Sequence, residues 1–352
     1  MTASQLEPHR GSLADDVGPD RQRASDTPRK LHQRLSLADR LFVGGSRSIG
    51  LLVLLIISSI GLFLAIQSGP TLSHYGFSFF TESRWQPNRD IIGISAVLLG
   101  TIEVAAIALF IAFPLALLSA LFITDWAPPG LRPALIRIVD LMAAVPSIVF
   151  GLWGLVLIEP HATHVAHWLS KYLGWIPIFH VNTDVNYPVW SYQPGYASYV
   201  GSAFIAAIAV SMMIFPMATS VMREVFSQAP VGEKEAAIAL GATRWAMVRT
   251  VVIPFGRSGI IGGTMLALGR ALGETISVVL IITQAFQLKL NVLSSGTSTI
   301  SSLIATQYKE ATPSQLSALL TAGFVLFLMT LLVNTVAAMI VARGRQGSVT
   351  DL

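Results

Sequence analysis

The chain contains no cysteine. That excludes disulfides, thiolate metal sites and thiol nucleophiles, and says little about compartment. Charge is scarce too: Asp, Glu, Lys and Arg make up 12% of the 352 residues, against about 25% in an ordinary soluble domain. No G-x-x-x-x-G-K-[ST] phosphate loop occurs, nor a Gly-Lys dipeptide, a G-x-G-x-x-G turn or an H-E-x-x-H helix. A chain without these parts has no nucleotide motor of its own and is not expected to be an enzyme. No small-residue cleavage site follows the first apolar run, so a cleavable signal peptide is not expected.

What the chain has in quantity is apolar sequence, 53% of its residues, arranged in long runs. Residues 49–66, "IGLLVLLIISSIGLFLAI", carry no charge over a length close to the roughly 20 residues a helix needs to cross the hydrocarbon core. Five further runs follow at about 93–124, 136–158, 199–222, 258–285 and 316–342. The expectation is an all-α, multi-pass membrane protein with six spans over 49–342.

Basic residues between the runs fall into two sets, seventeen in the tail 1–48, the loops near 125–137 and 223–257 and the C-terminal tail 343–352, against five elsewhere. Lys and Arg concentrate on the cytoplasmic side, which puts both termini there. That asymmetry accounts for the net charge of +4, and nucleic acid is not expected as a partner. Within the tail, residues 1–30 have a disordered composition. Segment 31–45 reads either as a short interfacial helix, with Leu31, Leu35 and Phe42 near one face, or as an extension of the first span.

The loop 223–257 includes "EKEAAIALGATRWAMVRTVVIP" (233–254), which reads as a helical hairpin. Pro230 and Gly232 precede a helix-forming run over 233–240, Gly241 suits a left-handed terminus, and Trp245, Val248 and Val252 share a face of a second helix limited by Pro254. The order Glu235-Ala236-Ala237, three residues, Gly241, nine residues, Val251, one residue, Ile253-Pro254 resembles the "EAA" cytoplasmic loop of permease subunits of bacterial ATP-binding-cassette importers. Val251 and Ile253 depart mildly from the usual Ile and Leu. Two further stretches, 140–160 and 256–281, are similar to segments of PstC-type permeases of phosphate importers, and the resemblance runs from about residue 77 to the C-terminus.

The resemblance implies a type I importer permease fold, with Glu235, Ala236, Ala237, Gly241 and Pro254 in a hairpin that couples to an ATPase. It also implies the partners: a second, PstA-type permease subunit, two copies of a PstB-type cytoplasmic ATPase that carries the ATP and magnesium, and a PstS-type external phosphate-binding protein. Inorganic phosphate is the implied substrate and the bacterial plasma membrane the location. No cofactor is expected in this chain. The rival readings are a permease for another oxyanion, molybdate or sulfate, and a stand-alone secondary transporter or channel.

Inside the fifth run, "GRALGETISVVL" (269–280) carries Arg270 and Glu274. On one continuous helix they stack on one face, though Arg before Glu is the weaker order for such a pair. An intrahelical salt bridge is one reading. The other places Arg270 on the transport path, its guanidinium fork meeting phosphate oxygens. Glu274 then competes for that guanidinium and keeps binding reversible. Gly259/Gly263 and Gly269/Gly273, with Ala267 and Ala271, suggest close helix packing against a second subunit. Glu103 is either a path residue or a locally bonded carboxylate, Arg132, Arg137 and Asp140 read as boundary charges, and Pro114 and Pro146 as kinks. His161, His164 and His167 read as a solvated outer helix, and the aromatic segment Tyr187–Tyr199 as an interfacial anchor.

Overall fold

A computed structural model describes residues 36–181 and 197–346, with side chains as far as Ala342. The disordered-tail expectation for 1–30, residues 31–35, most of the Tyr187–Tyr199 segment and 347–352 lie outside the described residues. Two compact units meet between Ile57 and Ser58. In the first, residues 37–57 are helical, and Leu51, Leu54 and Leu55 are exposed, as lipid-facing side chains are. The helix is α1 (Leu37–Tyr75).

The second unit begins with a small extended element. A short helix α2 (Ser78–Thr81) leads to strands β1 (Trp85–Gln86) and β2 (Ile91–Ile92), antiparallel with Trp85 opposite Ile92. Asp90, at the turn between them, adopts φ +56° and accepts hydrogen bonds from the Tyr75 hydroxyl at 2.6 Å and from His74 Nε2 at 2.9 Å. The Tyr75 bond first, and His74 second, hold the Asp90 carboxyl below its ordinary pKa.

Helix α3 (Ser95–Leu121) is mostly apolar, continues through Pro114 and ends in a π-helical turn, Phe122–Trp126. From Gly100 every fourth residue, Val104, Ala108, Ala112, Ala116 and Ala120, is buried. This alanine seam packs chiefly on α7 (Ala203–Ser227), the most enclosed of the spans, because small side chains let backbones approach where lipid offers no hydrophobic drive. Between them, α4 (Arg132–Ala144) stops and α5 (Ser147–Trp153) restarts around Val145-Pro146. Proline forces the residue before it out of helical geometry, and Val145 is extended at ψ 130°. A π-helical turn then joins α5 to α6 (Glu159–Leu173), so the run expected at 136–158 is realised as a broken piece plus a helix that continues to 173. His161 and His164 are exposed on α6, while His167 is half-buried with its ring edge-on to Tyr199. Among the described residues no cluster of three metal-ligating side chains forms.

After α7 come the hairpin helices α8 (Val231–Ala239), α9 (Arg244–Met247) and α10 (Ile253–Phe255), then α11 (Arg257–Gly273), α12 (Ile276–Ile281), α13 (Ile300–Gln307) and α14 (Pro313–Gln346). The stretch 244–255 meets α11 at a 69° bend. Five described helices are long and apolar enough to cross a membrane, six if that bent pair is one span.

Candidate functional site: a broken helix and an exposed hairpin

The fifth apolar run does not form one helix. It ends at Gly273, Glu274 is extended (φ −68°, ψ 127°), and a separate short helix starts at Ile276. Local chemistry explains the break. Gly269 and Gly273 weaken the last turn of α11, and the side chains that follow bond to backbone in competition with the helix. The Thr275 hydroxyl donates to Gly273 O at 3.2 Å, and Glu274 Oε1 accepts from the Ser277 N–H at 3.4 Å. Gly-Glu-Thr was the available signal, masked by the apolar residues on either side.

The break corrects the expectation that Arg270 and Glu274 stack on one helical face. Arg270 is exposed in the last turn of α11, where a cation suits the negative end of the helix. Glu274 is 8% exposed, at the opening of α12, and its backbone oxygen accepts from Ser301 Oγ at 2.7 Å. No ion pair joins the two among the described residues.

A second break adjoins the first. Helix α5, restarting after Pro146, packs on α12. Gly151 sits so close that a β-carbon there would lie 2.7 Å from Ser277 Cα. Each helix therefore begins within about one turn of the shared contact. The Gly259/Gly263 pair also differs from expectation. These residues and Ala267 and Ala271 are buried within this chain, with Gly259 against Val225 and Gly263 against Ala218 and Met222 of α7. Small residues do mediate close packing, but inside one chain; Gly273 alone of the two motifs has open space beside it.

Glu103 is half-buried on α3. Asp140 accepts from Ser220 Oγ at 2.9 Å and lies 3.6 Å from Arg223, which ties α4 to α7.

The hairpin matches its sequence closely. Gly241 has φ +88°, its N–H bonds to Ile238 O at 2.9 Å, and the Ala242 N–H reaches back to Ala237 O at 3.1 Å. That pair of bonds is the Schellman termination, which requires a left-handed residue at the position glycine holds. Two residues later the Thr243 hydroxyl accepts from the Ala246 N–H at 3.2 Å and starts α9. The first helix begins at Val231, so Gly232 is its second residue rather than its approach, and Pro254 lies inside α10. Ala237 packs on the core, whereas Glu235 and Ala236 face outward. So do Val231, Ile238 and Leu240, the last 89% exposed. Val248 and Val252 are buried while Trp245, expected on their face, is exposed.

An apolar bundle with a broken, charged helix, and a polar hairpin presenting apolar side chains at one end, is the arrangement of a multi-pass membrane permease. Residues 112–346 match the family described as "Binding-protein-dependent transport system inner membrane component". The chain belongs to that family. It is 38% identical over 313 residues to the Phosphate transport system permease protein PstC 2 of Mycobacterium tuberculosis, covering 87% of this chain and 92% of the relative. With the PstC protein of Pasteurella multocida it shares 34% identity over 324 residues, 92% of this chain and 97% of that one. In fold it is similar to a bacterial ABC transporter involved in the import of alginate: TM-score 0.54, 16% identity, 86% of this chain and 96% of that chain.

Proposed function

We propose that the chain is the PstC-type membrane subunit of an ATP-driven importer of inorganic phosphate. The observation that carries this reading is the hairpin. Leu240 at 89%, Val231 at 66% and Ile238 at 50% expose apolar side chains on a hairpin outside the apolar runs, which supports a protein partner that covers them. The chain has no nucleotide motif, so the covering partner supplies the energy. Two PstB-type ATPases, with ATP and magnesium, fit that role; a PstA-type subunit and a PstS-type binding protein complete the assembly. The basic asymmetry between loops supports a cytoplasmic hairpin and cytoplasmic termini.

Arg270 is the residue we assign to the path. An arginine facing lipid at mid-membrane costs about 2.5–3.5 kcal/mol on insertion scales, so its exposed face meets water or a second subunit rather than lipid. Its planar donors match two oxygens of hydrogen phosphate. Glu274, held at the start of α12, supplies a nearby carboxylate that limits how tightly an anion is retained. ATP binding closes the ATPase pair, the hairpin shifts, and the broken helices rock between inward and outward openings.

Reconstitution with the co-purifying subunits tests this. Uptake of phosphate into proteoliposomes should need ATP, be blocked by vanadate, and resist competition by sulfate and molybdate. Uptake that ignores ATP would return the chain to the secondary-transporter class. Equal competition by molybdate or sulfate would move it to another oxyanion.

A further inference from the structure

Where α3 ends, two consecutive side chains each grip a different arm of the hairpin. Asp125, 7% exposed in the π-helical turn, places Oδ1 2.9 Å from Lys234 Nζ on α8, a side chain itself 17% exposed. Trp126 lies against Trp245 of α9, ring centroids 6.5 Å apart. Lys234 and Ala237 are part-buried on α8, whereas Glu235, Ile238 and Leu240 are exposed.

Two features set this contact apart from ordinary packing. Asp125 Oδ2 is buried without a partner among the described residues, whereas buried carboxylate oxygens are normally bonded. The second oxygen gives Lys234 somewhere to go when α8 tilts, so the pair can follow a movement without breaking. The far end of α3 is also tied to the site. The Thr101 hydroxyl, about 36 Å along the helix, accepts from the Ile300 N–H at 2.9 Å. The adjoining Ser301 bonds to the backbone of Glu274 at 2.7 Å. On the α3 side the seam with α7 is lined mostly by alanines, small side chains that suit a small shear.

We propose that the Asp125–Lys234 ion pair, with Trp126 against Trp245, is the joint that passes movement of the hairpin into α3 and so toward the break at Glu274. Asp125 and Lys234 are positioning residues. This proposal rests on the importer reading above, since it needs an ATPase to move the hairpin.

The test compares ATP turnover and phosphate uptake in the same reconstituted complex. Lys234→Met and Asp125→Asn should each lower the phosphate moved per ATP hydrolysed by at least about tenfold, the size of an ordinary coupling between sites. The ratio is taken per assembled complex, with co-purified ATPase measured alongside. Lys234→Arg, which keeps the charge, should stay within about twofold by the same measure. Either single change leaves a lone buried charge that can impair assembly. The double neutral variant, Asp125→Asn with Lys234→Met, removes that objection: it should assemble with normal thermal stability and still be uncoupled. Wild-type phosphate per ATP in the double variant would overturn the joint. Absence of any co-purifying ATPase from the wild-type preparation would instead overturn the importer reading, and the joint would fall with it.

Discussion

Replacing Gly151 with alanine probes the contact between the two broken helices. The added β-carbon would stand 2.7 Å from Ser277 Cα, 2.9 Å from Leu280 Cδ1 and 3.3 Å from Ser277 Cβ. Carbon atoms rest at about 3.5–4.0 Å, so separation must grow by about 1 Å. Leu280 can rotate away, but Ser277 Cα is backbone, and relief requires α12 itself to move. Overpacking of this kind costs about 1–3 kcal/mol. Because Glu274 bonds to the Ser277 N–H, the displacement reaches the charged break directly. A matched control is Gly262→Ala on α11, where a β-carbon meets nothing within 4 Å. There, alanine should stabilise the helix by about 0.5–1 kcal/mol or leave it unchanged. Thermal unfolding of the purified complex and phosphate uptake by cells lacking their own permease are the assays. The expectation is a lower melting temperature and reduced uptake for Gly151→Ala, with neither in the control. Indistinguishable behaviour of the two variants would mean that α5 and α12 do not touch in this way.

Three other outcomes are expected. Arg270→Gln should cut phosphate uptake about ten- to hundredfold, the worth of one charge-assisted contact, with assembly unchanged; Arg270→Lys should recover only part of it, and full uptake with glutamine would remove Arg270 from the path. Gly241→Ala should cost about 1–2 kcal/mol for an L-residue held at φ +88° and weaken capture of the ATPase, read as co-purified ATPase per permease; unaltered capture would mean that the hairpin tolerates another termination. At the turn between β1 and β2, Asp90 has its pKa lowered by folding, so its contribution is present above the unfolded value of about 3.9 and lost as pH falls through the folded value. Protection of the Gly93 amide, whose N–H bonds across the turn to Arg84 O, should therefore fall at acid pH once the intrinsic exchange rate is divided out, and Asp90→Asn should flatten that dependence. A variant with the same acid profile would assign it elsewhere.

The sequence carried the architecture unevenly. The apolar runs were legible because a span must be apolar for its whole length, and the hairpin because Pro230 and Gly241 act on their own neighbours. The break at Glu274 was hidden: its capping bonds are local, but hydropathy does not change where the helix stops. Gly259 and Gly263 announced close packing, but the surface expected to receive them, a second subunit, was wrong: they pack on α7, a tertiary fact. The Asp125–Lys234 pair spans 109 positions and leaves no local signature at all. Periodicity places faces and ends; it does not say which face finds which.

The most direct measurement exploits the absence of cysteine. Leu240→Cys makes the only thiol in the chain, at a hairpin position whose side chain is 89% exposed. In the intact complex, a short bifunctional reagent at this thiol should join the chain to an ATPase subunit and to nothing else, with a yield that changes when ATP is added. A thiol that stays open to a membrane-impermeant maleimide from the outer face, or that links to no ATPase in any nucleotide state, would contradict the account.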